Sequence, residues 1–215
     1  MCFSASASFT ASAVCGAFGV MIVSRARKGD MMLALMPLIF SAQQALEGIV
    51  WLSGGEGCGS LAANGFVIVA FIVWPFYTPL ACWQSETASR PRKVMLALTW
   101  LGVIMALCGF YALHRGFTIV FSTHHITYLP LKHYPLIFDY FYAFCAIAPL
   151  MLYRSIYIRL YGLLALTGFV VSTAMFNPGR YSVWCFFAAV SSLVLYLFIQ
   201  SRNTSAQGQL AEAAP

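Results

Sequence analysis

Apolar residues run through this chain in long stretches, and short polar interruptions set the stretches apart. A helix that crosses a bilayer needs roughly 20 mostly apolar residues. Seven runs qualify: Ser6–Val23, Met31–Leu52, Leu61–Trp83, Val94–Leu113, Tyr134–Tyr153, Ile156–Phe176 and Arg180–Ile199. The breakers between them are clear: Arg25-Ala26-Arg27-Lys28-Gly29-Asp30, Gly54-Gly55-Glu56-Gly57-Cys58-Gly59, Ser89-Arg90-Pro91-Arg92-Lys93 and Asn177-Pro178-Gly179. The runs are too long and too uniformly apolar for the alternating strands of a barrel. The expected fold class is therefore all-α, a polytopic membrane protein of seven transmembrane helices. Residues 1–202 make the transmembrane domain, and the small, polar residues 203–215 read as a disordered cytoplasmic tail.

Basic residues in short loops set orientation. With the amino terminus outside, the inner side holds Arg25, Arg27, Lys28, Arg90, Arg92, Lys93, Arg154, Arg159 and Arg202, while the outer side keeps Arg115, Lys132 and Arg180. Nine against three predicts an outer amino terminus and an inner carboxyl terminus. No basic region precedes the first apolar run, so the start reads as a span rather than a cleaved signal.

Composition agrees. Of 215 residues, 61% are hydrophobic and 8% charged, too few charges to cover a soluble globule. The net charge of +6 is spread over loops between apolar runs, so no nucleic-acid partner is expected. The partners expected are the lipid bilayer and a small polar ligand or ion. Seven cysteines occur with no CxxC pair. Cys15, Cys108, Cys145 and Cys185 fall in spans as small packing residues, and Cys2 and Cys58 share the outer side, where oxidation could pair them.

An ionisable group inside a span costs roughly 2.5–3.5 kcal/mol on insertion scales. Two acids fall inside the runs, Glu47 and Asp139. A rise of 1.5 Å per residue puts Glu47 roughly 24 Å above Met31, and Asp139 about 7–8 Å below the outer end of its span. Both belong to the outer third, level with Arg180 and Trp184. Gln43, Glu47 and Trp51 share one helix face, with Gln44 beside it, and Asp139 shares a face with Tyr142. Such stripes turn away from lipid. They predict an outward-facing polar chamber lined by Gln43, Gln44, Glu47, Trp51, Asp139, Arg180 and Trp184, with Cys185 nearby. Two uses compete: a structural pairing of Arg180 with one acid while the glutamines bridge helices, or a binding site.

The longest outer connection, His114 to His133, carries all four histidines, His114, His124, His125 and His133. Phe117, Ile119 and Phe121 alternate with Thr118, Val120 and Ser122, which predicts an extended segment or hairpin at the bilayer surface. His124, His125 and His133 above two carboxylates suggest a transition-metal site, although their spacing matches no ligand motif.

Asn177-Pro178-x-x-Tyr181 spells a receptor switch motif, but at the wrong end of the last span. No span carries a lysine, which excludes retinal. Seven-helix metallohydrolases resembling alkaline ceramidases place histidines inside spans, and here none lies there. Trp74-Pro75 and Pro79 predict a kink in the third span.

The opening Met1-Cys2-Phe3-Ser4-Ala5, the stretch Gln43-Gln44-x-x-Glu47-Gly48-x-x-Trp51, and Ser182-Val183-Trp184-Cys185-Phe186-Phe187 resemble an uncharacterised family of small bacterial multi-span membrane proteins that begin Met-Cys-Phe-Ser-Ala. The resemblance implies a bacterial inner-membrane location and no particular chemistry. The expected function is a membrane binding protein, a sensor or small carrier, with Glu47 as principal acceptor and Arg180 as anchor or counterion. The alternative is a membrane-embedded enzyme in which histidine and carboxylate ligands hold a metal that activates water.

Overall fold

A computed structural model of the chain describes residues 4–122, 125–131, 137–177 and 179–212. Helices dominate. They are α1 (Ala5–Arg25), α2 (Met31–Ser53), α3 (Cys58–Val67), α4 (Trp74–Ser85), α5 (Ser89–Arg115), α6 (Ile137–Leu152), α7 (Ile156–Met175), α8 (Arg180–Ser191) and α9 (Val194–Glu212). Among the described residues, six helical stretches are long and apolar enough to cross a membrane: Ala5–Arg25, Lys28–Ser53, Gly59–Ser85, Ser89–Arg115, Ile156–Met175 and Arg180–Ser205. Helix α6 is apolar but shorter. On α5, Trp100, Ile104, Leu107, Phe110 and Tyr111 are each more than half exposed, an apolar band suited to lipid and costly in water.

Small residues bring the first two helices together. Ser12 donates to the Ser41 carbonyl at 2.8 Å and Ser41 to the Ser12 carbonyl at 2.7 Å. At Gly48 a Cβ would lie 2.8 Å from the Phe9 ring, so the ring seats where a side chain would stand. Close approach of this kind drives helix association where water cannot.

The third span is three pieces in one. Helix α3 runs into a π-helical segment, Ile68–Val73, and then into α4, which opens Trp74-Pro75. The cause is local. The Trp74 N–H reaches back five residues to the Val69 carbonyl, and Pro75 has no N–H to continue the ladder. The Ala70 carbonyl is left over, and the Tyr142 hydroxyl of α6 donates to it at 2.5 Å. Pro75 and Pro79 also cannot bond the carbonyls of Phe71 and Pro75, four residues before each. Those two carbonyls lie against α5 where it is stripped to glycine: an added Cβ would sit 2.6 Å from the Phe71 oxygen at Gly109 and 2.0 Å from the Pro75 oxygen at Gly102. Where a kink is expected the chain forms a π segment; one freed carbonyl accepts from Tyr142, and two pack against glycines of α5.

The last apolar run breaks between α8 and α9. Ser192 donates its hydroxyl to the Ala189 carbonyl at 2.6 Å, and its N–H is shared between Ala188 and Ala189, which tightens the turn. Helix α9 then continues to Glu212, past the point where a disordered tail is expected. Its polar part rests on the α1–α2 connection: Arg27 donates to the Arg202 carbonyl at 2.6 Å, and Asn203 to the Arg25 carbonyl at 3.0 Å.

The histidine loop folds as an antiparallel hairpin, β1 (Phe117–Phe121) with β2 (Ile126–Pro130), in the register Phe117↔Pro130 and Phe121↔Ile126. The expected extended segment is present, and with it the fold is helical plus one small sheet. Ile126 and Tyr128 are buried against Val50, Phe66 and Val67, and Tyr128 stacks on Phe66 at 4.7 Å. The hairpin therefore closes one end of the bundle.

Candidate functional site

Beneath the hairpin lies a cavity of about 390 Å³. Its walls come from five places. Val67 and Phe71 belong to the third span, and Met105, Cys108 and Ala112 to α5; Phe117 and Tyr128 come from the hairpin, Asp139 and Tyr142 from α6, and Arg180 and Tyr181 from α8. Most of that surface is carbon. Among the described residues its ionic groups are one pair: the Arg180 guanidinium donates from Nη2 to Asp139, and the Tyr181 hydroxyl donates to the other carboxylate oxygen. Both charged side chains are largely buried, at 14% and 19% exposed, so little solvent screens the pair. The guanidinium also stands over the Tyr181 ring, 5.4 Å from its centre, and its Nε–H meets no acceptor among the described residues.

The second acid expected in the chamber sits on the far side of the same helical turn. Glu47 is fully buried on α2, and the Ser182 hydroxyl donates to it. Arg180, Tyr181 and Ser182 are thus three successive residues that serve two carboxylates on two helices. Successive side chains on a helix point about 100° apart, so one turn can face both ways.

The predicted lining separates accordingly. Asp139 and Arg180 line the cavity, and Gln43, Gln44, Glu47, Trp51, Trp184 and Cys185 do not. Gln43 accepts from the indole of Trp74 at 2.7 Å. Gln44 is fully buried, with neither amide atom partnered among the described residues. Trp51 meets Phe121 of the hairpin edge-on at 5.8 Å. Trp184 donates to the Ala165 carbonyl at 2.8 Å, and with Cys185 it borders a second, much smaller void near the middle of the bundle. The polar stripe of α2 is enclosed by helices rather than opened to a chamber: Gln43 meets Trp74 of α4, and Glu47 meets Ser182 of α8. Tyr142 borders both voids, and α6 carries it one turn from Asp139.

The metal expectation falls mostly outside the described residues: His124, His133 and Cys2 lie there, as does the side chain of Cys58. The His125 ring lies against Gly179, where a Cβ would sit 1.9 Å from it, and edge-on to Phe176 at 6.3 Å. It covers the start of α8. Among the described residues no three His, Cys, Asp or Glu side chains gather closely enough to hold a metal ion. Cys15, Cys145 and Cys185 are buried, in keeping with packing roles, and Cys108 is half-buried at the cavity wall.

A second polar cluster sits at the opposite end, in segments that read as plain loops. Asp30 precedes α2 and is fully buried; it accepts from Ser85, and from Arg202 at 3.2 Å. Ser85 in turn lies 2.7 Å from the Tyr153 hydroxyl. Burial pushes the Tyr153 phenol well above its ordinary value; the Ser85 hydrogen bond draws it back, and the charges of Asp30 and Glu86 raise it further. Glu86, also buried, accepts the backbone N–H groups of Thr87 at 2.8 Å, Ala88 at 2.9 Å and Arg154 at 2.8 Å. The available signal was position: each acid stands at the junction of two apolar runs, where a charge can be buried against backbone donors.

No curated protein and no solved structure matches the chain. One family model does, over residues 1–210, and by that match the chain belongs to the family of unknown function DUF6629.

Proposed function

We propose that this chain is an integral membrane binding protein, a sensor or small carrier, whose ligand occupies the cavity under the hairpin. The observation that carries the reading is the cavity itself: about 390 Å³, within the range of small-molecule sites, with one buried ion pair on an otherwise apolar wall. Few convergent polar groups on a carbon surface are what orient a small ligand. In this reading α6 is a seventh crossing. The nine basic residues at the end opposite the hairpin face the cytoplasm, so the cavity lies toward the outer face, in a bacterial inner membrane. Arg180 anchors the ligand and Asp139 holds Arg180. Glu47 is a core group that fixes α8 through Ser182.

Native mass spectrometry after extraction in mild detergent tests this. The wild-type chain should carry a small-molecule adduct. Ala112→Phe, which fills the cavity from α5, should lose the adduct while keeping the helical signal and thermal midpoint of the parent. A wild-type chain free of adducts in every mild detergent would contradict the reading.

A further inference from the structure

We infer that the ligand is an uncharged amphiphile whose head is a flat, oxygen-bearing ring of the quinone type. The inference rests on the binding reading above and adds the class of molecule. Three observations converge on it.

The first is charge. Among the described residues the cavity's ionic groups are Arg180 and Asp139, bonded to each other, so their charges cancel at the wall. A carboxylate or phosphate head drawn to Arg180 would meet the Asp139 carboxylate within the same contact, and an ammonium drawn to Asp139 would meet the guanidinium. At low local dielectric either repulsion is large. A neutral carbonyl meets neither. It needs one donor, and the Arg180 guanidinium, which lines the cavity, carries five N–H groups and gives Asp139 a bond from Nη2.

The second is the wall. Among the described residues six aromatic rings border the space: Phe71, Phe117, Tyr128, Phe138, Tyr142 and Tyr181. They already pack edge-to-face or tilted, Phe71 with Tyr181 at 4.6 Å and 68°, and with Tyr142 at 5.9 Å and 38°. A flat ring extends that array, and a saturated chain gains nothing from it beyond area.

The third is size. About 390 Å³ holds a ring and a short branched tail, and is too small for a two-chain lipid. The ring sits against Tyr181 with a carbonyl at Arg180, and the tail follows Met105 and Val67.

The test uses full-length protein stripped of adducts and placed in nanodiscs. Three probes are compared by thermal shift and native mass spectrometry: a benzoquinone with a two-isoprene tail, decanoic acid and dodecan-1-ol. The quinone should bind at least about tenfold more tightly than either of the others. Arg180→Lys, which keeps a cation beside Asp139, should weaken quinone binding about tenfold, and Ala112→Phe should abolish it. Tighter binding of the acid or the alcohol, lost in Ala112→Phe, overturns the ring-headed class and leaves the binding reading standing. Failure of all three probes with a protein that arrives carrying an adduct also overturns the class alone. Failure of all three with a protein that never carries one overturns both.

Discussion

The Ser182 hydroxyl donates to the carboxylate of Glu47, joining the first turn of α8 to the middle of the polar stripe on α2. Both residues are buried, Glu47 at 0% and Ser182 at 1% exposed, so the bond forms where a carboxylate most needs donors. Its neighbour Tyr181 serves Asp139 in the same way from the other side of the turn. One stretch of three residues thereby fixes α8 against α2 and α6 together.

Ser182→Ala should lower stability by about 1–3 kcal/mol, the cost of withdrawing a donor from a buried acceptor. Glu47→Gln should cost less in the Ser182→Ala background than in the parent, since the two residues share one bond. Thermal unfolding in detergent of the two single variants and the double reads the coupling, which should exceed about 0.5 kcal/mol. Additive effects would remove the bond from the account.

At the cavity wall, Asp139→Ala and Arg180→Ala should each cost about 3 kcal/mol or more, because each leaves its partner charged and largely buried. The double variant Asp139→Leu with Arg180→Met removes both charges and should be more stable than either single. Thermal midpoints of the three variants decide. A double variant less stable than both singles would mean that the pair contributes more than its members' mutual neutralisation.

Tyr142 supplies the donor that Pro75 cannot. Tyr142→Phe should destabilise the chain by about 1–3 kcal/mol, since the Ala70 carbonyl then lies buried without a donor. Pro75→Ala restores a backbone N–H to the third span, so the cost of Tyr142→Phe should shrink in that background. Unfolding of the four members of this cycle measures it, and an equal cost in both backgrounds would break the link between the proline and the phenol.

At the opposite end, the raised phenol of Tyr153 makes stability depend on alkaline pH. The unfolded phenol loses its proton near pH 10. The folded one holds it to higher pH, so the unfolded state binds fewer protons in that window and stability falls as pH rises. The contribution is complete below about pH 10 and is lost as pH climbs through the folded value. Tyr153→Phe should flatten the decline of the thermal midpoint between about pH 9 and pH 11. An unchanged slope would detach Tyr153 from the alkaline limb.

The apolar runs were enough to place the helices, because crossing a bilayer is a one-dimensional demand on length and polarity. The six long spans, the hairpin's alternation and the trouble at Pro75 were all legible in this way. So was the position of Asp139 and Arg180 near the starts of their helices, which follows from counting residues. What residue counting cannot give is azimuth and neighbour. It could not tell that Arg180 turns to Asp139 while Ser182, two residues on, turns to Glu47, nor that Gln43 turns to Trp74 and away from the cavity. The acids at the opposite end escaped notice for the same reason. Asp30 and Glu86 look like loop charges until the ends of α4, α6 and α9 converge on them. Composition and periodicity determined that the chain carries helices long and apolar enough to cross a membrane, and where they are interrupted. Packing between distant segments, which is set by shape and by the few donors within reach, decided which charges meet and where a space remains.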